Sequence, residues 1–156
     1  MSTQNQISIE IPQTVINDVV TKLQDCKQQL APYLQGLTAE DRKKLFKMGD
    51  KTVATVIKTR DYITTNPQFV PVYMNVGEFN KDVNLLTQLT PIVNLATQLA
   101  TDVDDSLMLA GSEALQSALL YYGQIKEAQH KGVATAKPIY EDLSERFKRG
   151  AYKKKM

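Results

Sequence analysis

The chain has 156 residues, of which 42% are hydrophobic, so it can form one domain with a core and is too apolar to be disordered throughout. Its single cysteine excludes an intramolecular disulfide, as is usual in a reducing compartment. The net charge of +2 is uneven, because a cluster of cations near the C-terminus leaves the rest of the chain acidic. Neither a run of about 18 apolar residues nor a signal peptide is visible, which predicts a cytoplasmic protein without a membrane span.

An extended arm and an amphipathic helix come first. Residues 7–11 alternate between apolar and polar side chains, whereas everything after them has helical periodicity. We therefore expect residues 1–11 to form an arm that lies on the helices or is exchanged with a second subunit. The first helix begins at Pro12, and Pro32 and Gly36 end it. Its apolar stripe consists of Val15, Ile16, Val19, Val20, Leu23, Cys26, Leu30 and Leu34.

The second predicted helix runs from the N-cap Thr38 to Thr65 and has an apolar face and a basic face. Asn66-Pro67 ends it, because proline lacks the amide hydrogen that a helix needs. The connector Gln68–Val76 is rich in apolar side chains, which we expect to cap one end of the core. The basic face consists of Arg42, Lys43, Lys44, Lys47, Lys51, Lys58 and Arg60.

Apolar residues then recur at helical spacing from Glu78 to Ala128, farther than one globular helix usually extends, so the sequence predicts a turn. Residues 101–104 resemble a capping box, and Gly111-Ser112 is a stop followed by a cap. We expect the first turn, because it gives four helices of more equal length. Gly111 would then lie inside a helix, which suggests close backbone packing there.

The sequence predicts one more helix near the C-terminus. Lys131-Gly132 ends the fourth helix, and Pro138 opens a short fifth helix. The expected fold is therefore all-α, an antiparallel up-down four-helix bundle with a short C-terminal fifth helix. This bundle forms a single domain over residues 12–149, between the arm 1–11 and a disordered basic tail 150–156.

Residues with reactive side chains are few, and the sequence predicts no metal, cofactor or catalytic site. His130 is the single histidine, and with Glu127 it forms one Glu-x-x-His pair where a di-iron bundle needs two. We interpret it as a partner of the helix dipole. Cys26 lies on an apolar stripe and is interpreted as a structural thiol. Asp102, Asp104 and Asp105 are interpreted as solvated helix caps.

The region from Val83 to Ile125 is poor in charge, with four acids and no lysine or arginine. A soluble helix usually presents charge to water, so this neutral surface is expected to pack against other helices of the chain or against a partner. Amide and tyrosine side chains of this kind suit a contact surface. The candidate interface consists of Asn84, Gln88, Asn94, Gln98, Tyr121 and Tyr122.

Two alternatives belong to other functional classes. The first is a small-molecule site or enzyme, with a pocket between helices lined by Tyr62, Tyr73, Asn94 and Tyr122. The second is weak nucleic-acid binding by the basic end of the chain, which is less favoured because the body is acidic and no reading motif is present. Its candidate polyanion contacts are Arg146, Lys148, Arg149, Lys153, Lys154 and Lys155.

Several segments, spread over most of the chain, resemble a group of small bacterial helical proteins of unknown function. The resemblance implies a helical bundle and no particular activity or binding residue. The segments are LTAEDRKKLFKMGDKT at 37–52, NPQFVP at 66–71, AGSEALQSALLYY at 110–122 and AKPIYEDLSERF at 136–147.

Together these patterns predict a non-enzymatic helical scaffold or protein-interaction module. Its partner is expected to be another protein or a second copy of the chain, in which case the charge-poor helices would form the interface of a homodimer.

Overall fold

A computed structural model describes residues 5–149, apart from the side chains of Asp50, Lys148 and Arg149. Within that range the chain forms helices and turns without a strand, so the prediction of an all-α protein is confirmed. The tail predicted at 150–156 lies outside the described residues. The helices are α1 (Gln13–Leu30), α2 (Ala39–Lys44), α3 (Asp50–Thr65), α4 (Val76–His130) and α5 (Ala136–Arg149), with short 3₁₀ turns at Ala31–Tyr33 and Pro67–Phe69.

The chain divides into two compact units, and α4 contributes to both. The middle unit is Glu10–Gln98, and the terminal unit combines, within the described residues, 5–9 with 99–149. Each unit has its own small region of burial. The fold therefore does not establish the predicted antiparallel packing of four helices.

In the middle unit, α1 follows the predicted boundaries. The Pro12 carbonyl accepts the amide hydrogens of Val15 and Ile16 at 2.9 and 3.2 Å, which starts the helix. The helix tightens into the 3₁₀ turn that contains Pro32, where an α-helical hydrogen bond cannot continue. Every side chain of α1 is exposed except Leu30, which is half-buried.

The single helix predicted from Thr38 to Thr65 is two helices, α2 and α3, separated by a non-helical stretch, so that prediction was wrong. A capping box starts α2, with Thr38 Oγ1 accepting from the Asp41 amide at 3.2 Å and the Asp41 carboxylate accepting from the Thr38 amide at 3.3 Å. Gly49 is the N-cap of α3, and its carbonyl accepts from Thr52 and Val53. Glycine disfavours a helix interior by about 1 kcal/mol, and here it lies at a helix start.

Burial in the middle unit is concentrated in α3, the connector and the beginning of α4. Val83 on α4 is 1% exposed, and Arg60 Nη1 of α3 donates to Asn84 Oδ1 of α4 at 3.1 Å. Asn75 caps α4, because its Oδ1 accepts from the Glu78 amide at 3.0 Å. The half-buried apolar residues are Val53, Val56, Ile57, Ile63, Val70, Met74, Val76, Phe79, Leu86 and Leu89.

α4 is one continuous helix of 55 residues and turns neither at Thr101–Asp105 nor at Gly111, which corrects the predicted hairpin. The sequence argument rested on the usual length of helices. The apolar spacing keeps its phase through both positions, so one face continues without interruption. The helix also contains Pro91, which leaves the Thr87 carbonyl without its helical amide partner.

α4 ends at His130, and the predicted stop at Lys131-Gly132 is confirmed. Gly132 has φ +82, a left-handed conformation that glycine adopts without strain. The Val133 amide donates back to the Ala128 carbonyl at 3.1 Å, which satisfies one of the last carbonyls of the helix.

In the terminal unit, α5 packs on the end of α4 through three aromatic rings. The Tyr122 and Phe147 rings have centroids 4.9 Å apart, and Tyr122 also stacks on Tyr140. Ala136 and Ser144 of this unit are buried. Val83, Ala136 and Ser144 are the only buried residues in the described part of the chain.

Candidate interaction surfaces

The apolar face of α1 is open to solvent. We call Val15, Ile16, Val19, Val20 and Leu23 the α1 stripe; their exposed fractions lie between 38% and 51%. Spacing of three and four residues places all five side chains on one side of the helix. Cys26 continues this side and is also exposed. Its interpretation as a structural thiol stays a prediction.

A second open apolar face lies on α4, within the terminal unit. Leu99, Val103 and Leu107 follow one another every four residues and are 42%, 58% and 68% exposed; we call them the α4 stripe. Farther along the helix the same side carries Ala110 and Ala114, and there the N-terminal arm lies beside it. The arm therefore lies beside the apolar side of α4 at one end, where Ala110 and Ala114 remain exposed.

The arm is held to α4 by a carboxylate. Glu113 Oε1 accepts from the backbone amide of Gln6 at 2.6 Å, and its Oε2 lies 2.8 Å from the Asn5 side-chain nitrogen when that amide is oriented to donate. Ile7 and Ile9 line a cavity of about 440 Å³ next to Ala110 and Ala114. Glu113, one of the four acids in the charge-poor region, thus binds the N-terminal arm. Its position in the sequence did not indicate this contact.

Charged side chains border both stripes. On α4, Asp102 and Asp104 adjoin Val103 and project about 100° to either side of it. On α1, Lys22 lies at one edge of the stripe and pairs with Asp18 at 2.7 Å, whereas Lys27 projects between the directions of Ile16 and Val20 beyond the end of the stripe. The α4 stripe therefore has acidic edges, and the Lys22 edge of the α1 stripe carries an ion pair.

Five ion pairs in the described part of the chain are local. Each joins residues three or four apart, within one helix or, for Glu127–Lys131, across the end of α4, and each is exposed, so their contribution to stability is small. Asp102 and Asp104 take part in none of them. The pairs are Asp18–Lys22, Glu40–Lys43, Glu78–Lys81, Glu127–Lys131 and Asp142–Arg146.

The predicted interface residues have different surroundings. Asn84 accepts a hydrogen bond from Arg60, and Tyr122 is half-buried against α5. Gln88, Asn94, Gln98 and Tyr121 are exposed. Both of these contacts, those of Asn84 and Tyr122, are within the chain. That the six residues form an interface with a partner stays a prediction.

Tyr122 also has a perturbed hydroxyl. Partial burial, together with the neighbouring Tyr140 hydroxyl, raises the pKa of Tyr122 above its usual value. Both effects disfavour the tyrosinate, because a charge on Tyr122 would lose solvation and would face a second phenol. The Tyr122–Tyr140 pair supports the contact between α4 and α5 and does not indicate a catalytic role for either hydroxyl.

One apolar groove lies in the middle unit, at the C-terminal end of α3. We call it the α3 groove; its volume is about 520 Å³, and Tyr62, Phe69, Pro71 and Met74 are among its lining residues. Lys58 Nζ lies 5.2 Å from the centroid of the Tyr62 ring, within cation–π range. The sequence assigned Phe69 and Met74 to a core cap and did not anticipate a groove.

Of the four residues that the sequence predicts to line a pocket, Tyr62 lines this groove. Tyr73 is 90% exposed and Asn94 is exposed, and neither lines the groove. The pocket predicted from those residues and Tyr122 stays a prediction.

The candidate polyanion contacts lie mostly beyond what the structure describes. Arg146 is described, and its Nε contacts the Asp142 carboxylate at 3.1 Å, which raises the pKa of the guanidinium. The side chains of Lys148 and Arg149 and the whole of 153–155 lie outside the described residues.

No metal centre emerges from the described side chains. In that part of the chain, no three His, Cys, Asp or Glu side chains converge in a way that could hold an ion. Glu127 pairs with Lys131 at 2.6 Å, and His130 is the exposed last residue of α4. Among residues 5–149, no helix has the length and apolar character needed to cross a membrane.

Comparison with known proteins identifies no relative of the chain. No protein-family model, no curated protein and no solved structure matches the chain. The resemblance to small bacterial helical proteins stays a prediction, and the functional argument depends on the surfaces described above.

Proposed function

We propose that the chain is a non-enzymatic protein-interaction module, whose open apolar helix faces bind helices of another protein chain. Association of this kind would complete the antiparallel helical bundle that the sequence predicts. The observation that carries the proposal is the α1 stripe, five apolar side chains on one side of a helix that remain between 38% and 51% exposed. Monomeric soluble proteins rarely leave contiguous apolar surface uncovered, and such surfaces commonly mark interaction sites.

The energetics indicate that one stripe alone would bind weakly. Covering a half-exposed Val, Leu or Ile side chain contributes about 1 kcal/mol, so the α1 stripe contributes roughly 5 kcal/mol. Association costs an estimated 4 to 15 kcal/mol in lost translational and rotational freedom. A stable complex therefore needs a second surface, and the α4 stripe supplies one.

A photoreactive residue placed in α1 tests the proposal in the cell that makes the protein. At Val19, in the centre of the stripe, we expect cross-links to a protein chain after illumination. At Thr21, which lies on the opposite side of α1, we expect few or none. The absence of protein cross-links at Val19, or equal cross-linking at both positions, would contradict the proposed function.

The α3 groove favours a second candidate, a small-molecule binding protein. Its volume of about 520 Å³ falls within the range of ligand pockets, and its lining combines aromatic and aliphatic side chains with the polar Asn66. A fluorescent apolar ligand should bind the native chain and lose affinity in Phe69→Ser. Val72→Ser is the matched control, because Val72 is fully exposed and does not line the groove. Equal binding by both variants would exclude the groove as the site.

A further inference from the structure

We infer that residues 42–48 form a contact site for the surface of an anionic lipid bilayer. These residues, with the sequence RKKLFKM, comprise the last turn of α2 and most of the stretch that precedes α3; we call them the 42–48 segment. The inference goes beyond the proposed function and uses no residue of the α1 stripe. It is carried by two features of the segment, its uncovered apolar side chains and its unpaired cations.

The apolar side chains of the 42–48 segment are open to solvent. Phe46 is 102% exposed, and Leu45 and Met48 are 55% and 47% exposed. The helix ends at Lys44 and the backbone is extended at Leu45, so these three side chains lie outside both helices. Each gains free energy on transfer from water to an apolar medium. Three of them within four residues therefore indicate a contact surface, whereas single exposed apolar residues do not.

Three cations of the 42–48 segment have no ion-pair partner among the described residues. The acids that precede the segment are engaged within α2. Glu40 pairs with Lys43 at 3.0 Å, and the Asp41 carboxylate accepts hydrogen bonds from the amide and the hydroxyl of Thr38. Anionic lipid headgroups would supply the missing counter-charge, because they attract each lysine or arginine that lies near the membrane surface. The three unpaired cations are Arg42, Lys44 and Lys47.

A bilayer surface accommodates both features at once. Phe46 lies between Lys44 and Lys47 in the chain, and all three side chains are exposed, so both ammonium groups are within reach of the surface that the ring contacts. Lysine side chains are long enough to keep their charge at the level of the headgroups while their neighbours enter an apolar layer. Apolar side chains bordered by lysine and arginine are the usual composition of segments that lie in the membrane interface.

The composition of the segment favours lipid over nucleic acid. Single-stranded nucleic acid stacks its bases on aromatic rings, and the segment offers one ring, that of Phe46. Leu45 and Met48 have no aromatic face and gain instead from contact with hydrocarbon. The connector before α4 provides a contrast within the chain. Val72 is 103% exposed there, but residues 61–80 include no lysine or arginine, so apolar exposure is not accompanied by positive charge.

A fluorescent reporter tests insertion directly. The chain contains no tryptophan, so Phe46→Trp in the full chain introduces a single indole at the proposed contact. With vesicles of equimolar phosphatidylcholine and phosphatidylglycerol, its emission should shift to shorter wavelength, and brominated acyl chains should quench it. Vesicles of phosphatidylcholine alone should produce neither effect. Val72→Trp is the matched control, because the site is equally exposed and lacks neighbouring cations, and its emission should not change.

Co-sedimentation with the same anionic vesicles measures the contribution of charge. Lys44→Gln/Lys47→Gln should bind at least about tenfold more weakly than the native chain, since one lysine near an anionic surface contributes about fivefold in affinity. Raising the ionic strength should also weaken binding. Lys153→Gln/Lys154→Gln has the same change in charge at the basic end of the chain and should bind nearly as well as the native chain. Lys44 and Lys47 are exposed, so their substitution should leave the circular dichroism unchanged.

Four results would overturn the inference. The emission of Phe46→Trp could remain unchanged with anionic vesicles, or it could shift equally with phosphatidylcholine alone. Val72→Trp could respond as Phe46→Trp does. Lys153→Gln/Lys154→Gln could lose as much affinity as Lys44→Gln/Lys47→Gln, which would assign the binding to the end of the chain. A shift of the Phe46→Trp emission by a single-stranded oligonucleotide, without one by vesicles, would identify nucleic acid as the partner of the segment.

Discussion

The Tyr122 ring of α4 stacks on the Tyr140 ring of α5, with ring centroids 5.8 Å apart and ring planes inclined by 7°. The neighbouring residue Tyr121 points elsewhere and is 55% exposed. Two adjacent tyrosines on one helix therefore have different roles. Tyr122 attaches α5 to α4, and Tyr121 presents its ring to solvent.

Replacing Tyr140 by alanine should loosen α5. The substitution removes a half-buried aromatic ring and its stacking contact with Tyr122, at a cost of about 1 to 2 kcal/mol. Hydrogen exchange of the α5 amides should accelerate, and the denaturant midpoint should fall. Tyr121→Ala is the matched control and should change both by much less; equal effects would mean that the Tyr122–Tyr140 stack does not hold α5.

Alkaline pH should destabilise the same contact. The pKa of Tyr122 is raised in the folded protein by partial burial and by Tyr140, so folding favours the neutral phenol. The resulting stability is complete below the ordinary tyrosine pKa and is lost as the pH rises through the higher folded value. Ultraviolet titration of tyrosinate should show Tyr122 ionising above the ordinary tyrosine pKa in the native chain.

Tyr140→Phe provides the control for that titration. The substitution keeps the stacked ring and removes the neighbouring hydroxyl, so the pKa of Tyr122 should move part of the way back towards its usual value. Partial burial should hold it above that value. A titration curve that is identical with and without the Tyr140 hydroxyl would contradict the assigned cause.

A glycine inside α4 and a glycine just after its end should respond in opposite directions to alanine. Within the described structure, an added Cβ at Gly111 meets nothing within 4 Å, so the close packing expected from the sequence is not found. Gly111→Ala should raise the free energy of unfolding by up to about 1 kcal/mol through helix propensity. Gly132 has φ +82, so Gly132→Ala should lower it by about 1 kcal/mol through backbone strain.

Thermal unfolding of the two variants distinguishes these effects. A change of 1 kcal/mol corresponds to roughly 2 to 4 °C in midpoint for a chain of this size. A higher midpoint for Gly111→Ala would confirm open space on that side of α4. A lower midpoint would indicate close backbone packing at Gly111, as the sequence pattern suggested.

Local signals in the sequence predicted much of the secondary structure. Pro12 and Gly132 mark helix ends in the fold because proline and glycine act through their own backbone, independently of distant contacts. The start of α2 at Thr38 was likewise visible, since a capping box involves only neighbouring residues. These helix boundaries could be predicted without knowledge of how the helices pack.

The errors arose where length was used in place of a local signal. A turn was expected near Thr101 because a helix of more than fifty residues is unusual, although neither proline nor glycine lies there. Conversely, Gly49 interrupted a helix that was expected to be continuous. The open stripes could not be predicted either, because an apolar periodicity identifies the side that packs and gives no indication of which chain covers it.

The face of α4 that forms contacts can be decided by one pair of substitutions. The sequence favours the neutral polar side that includes Asn94, whereas the structure favours the apolar side that includes Leu99. Five residues separate them, which places their side chains about 140° apart around the helix axis. A contact through one side therefore leaves the other largely free.

Glutamate at each position should affect association differently. Leu99→Glu places a charge within the α4 stripe, where its desolvation would weaken association by at least about tenfold. Asn94→Glu should leave sedimentation unchanged, because that side of the helix stays solvated. Circular dichroism controls for loss of helix. Weaker association for Asn94→Glu with native behaviour for Leu99→Glu would place the interface on the amide-rich side of α4.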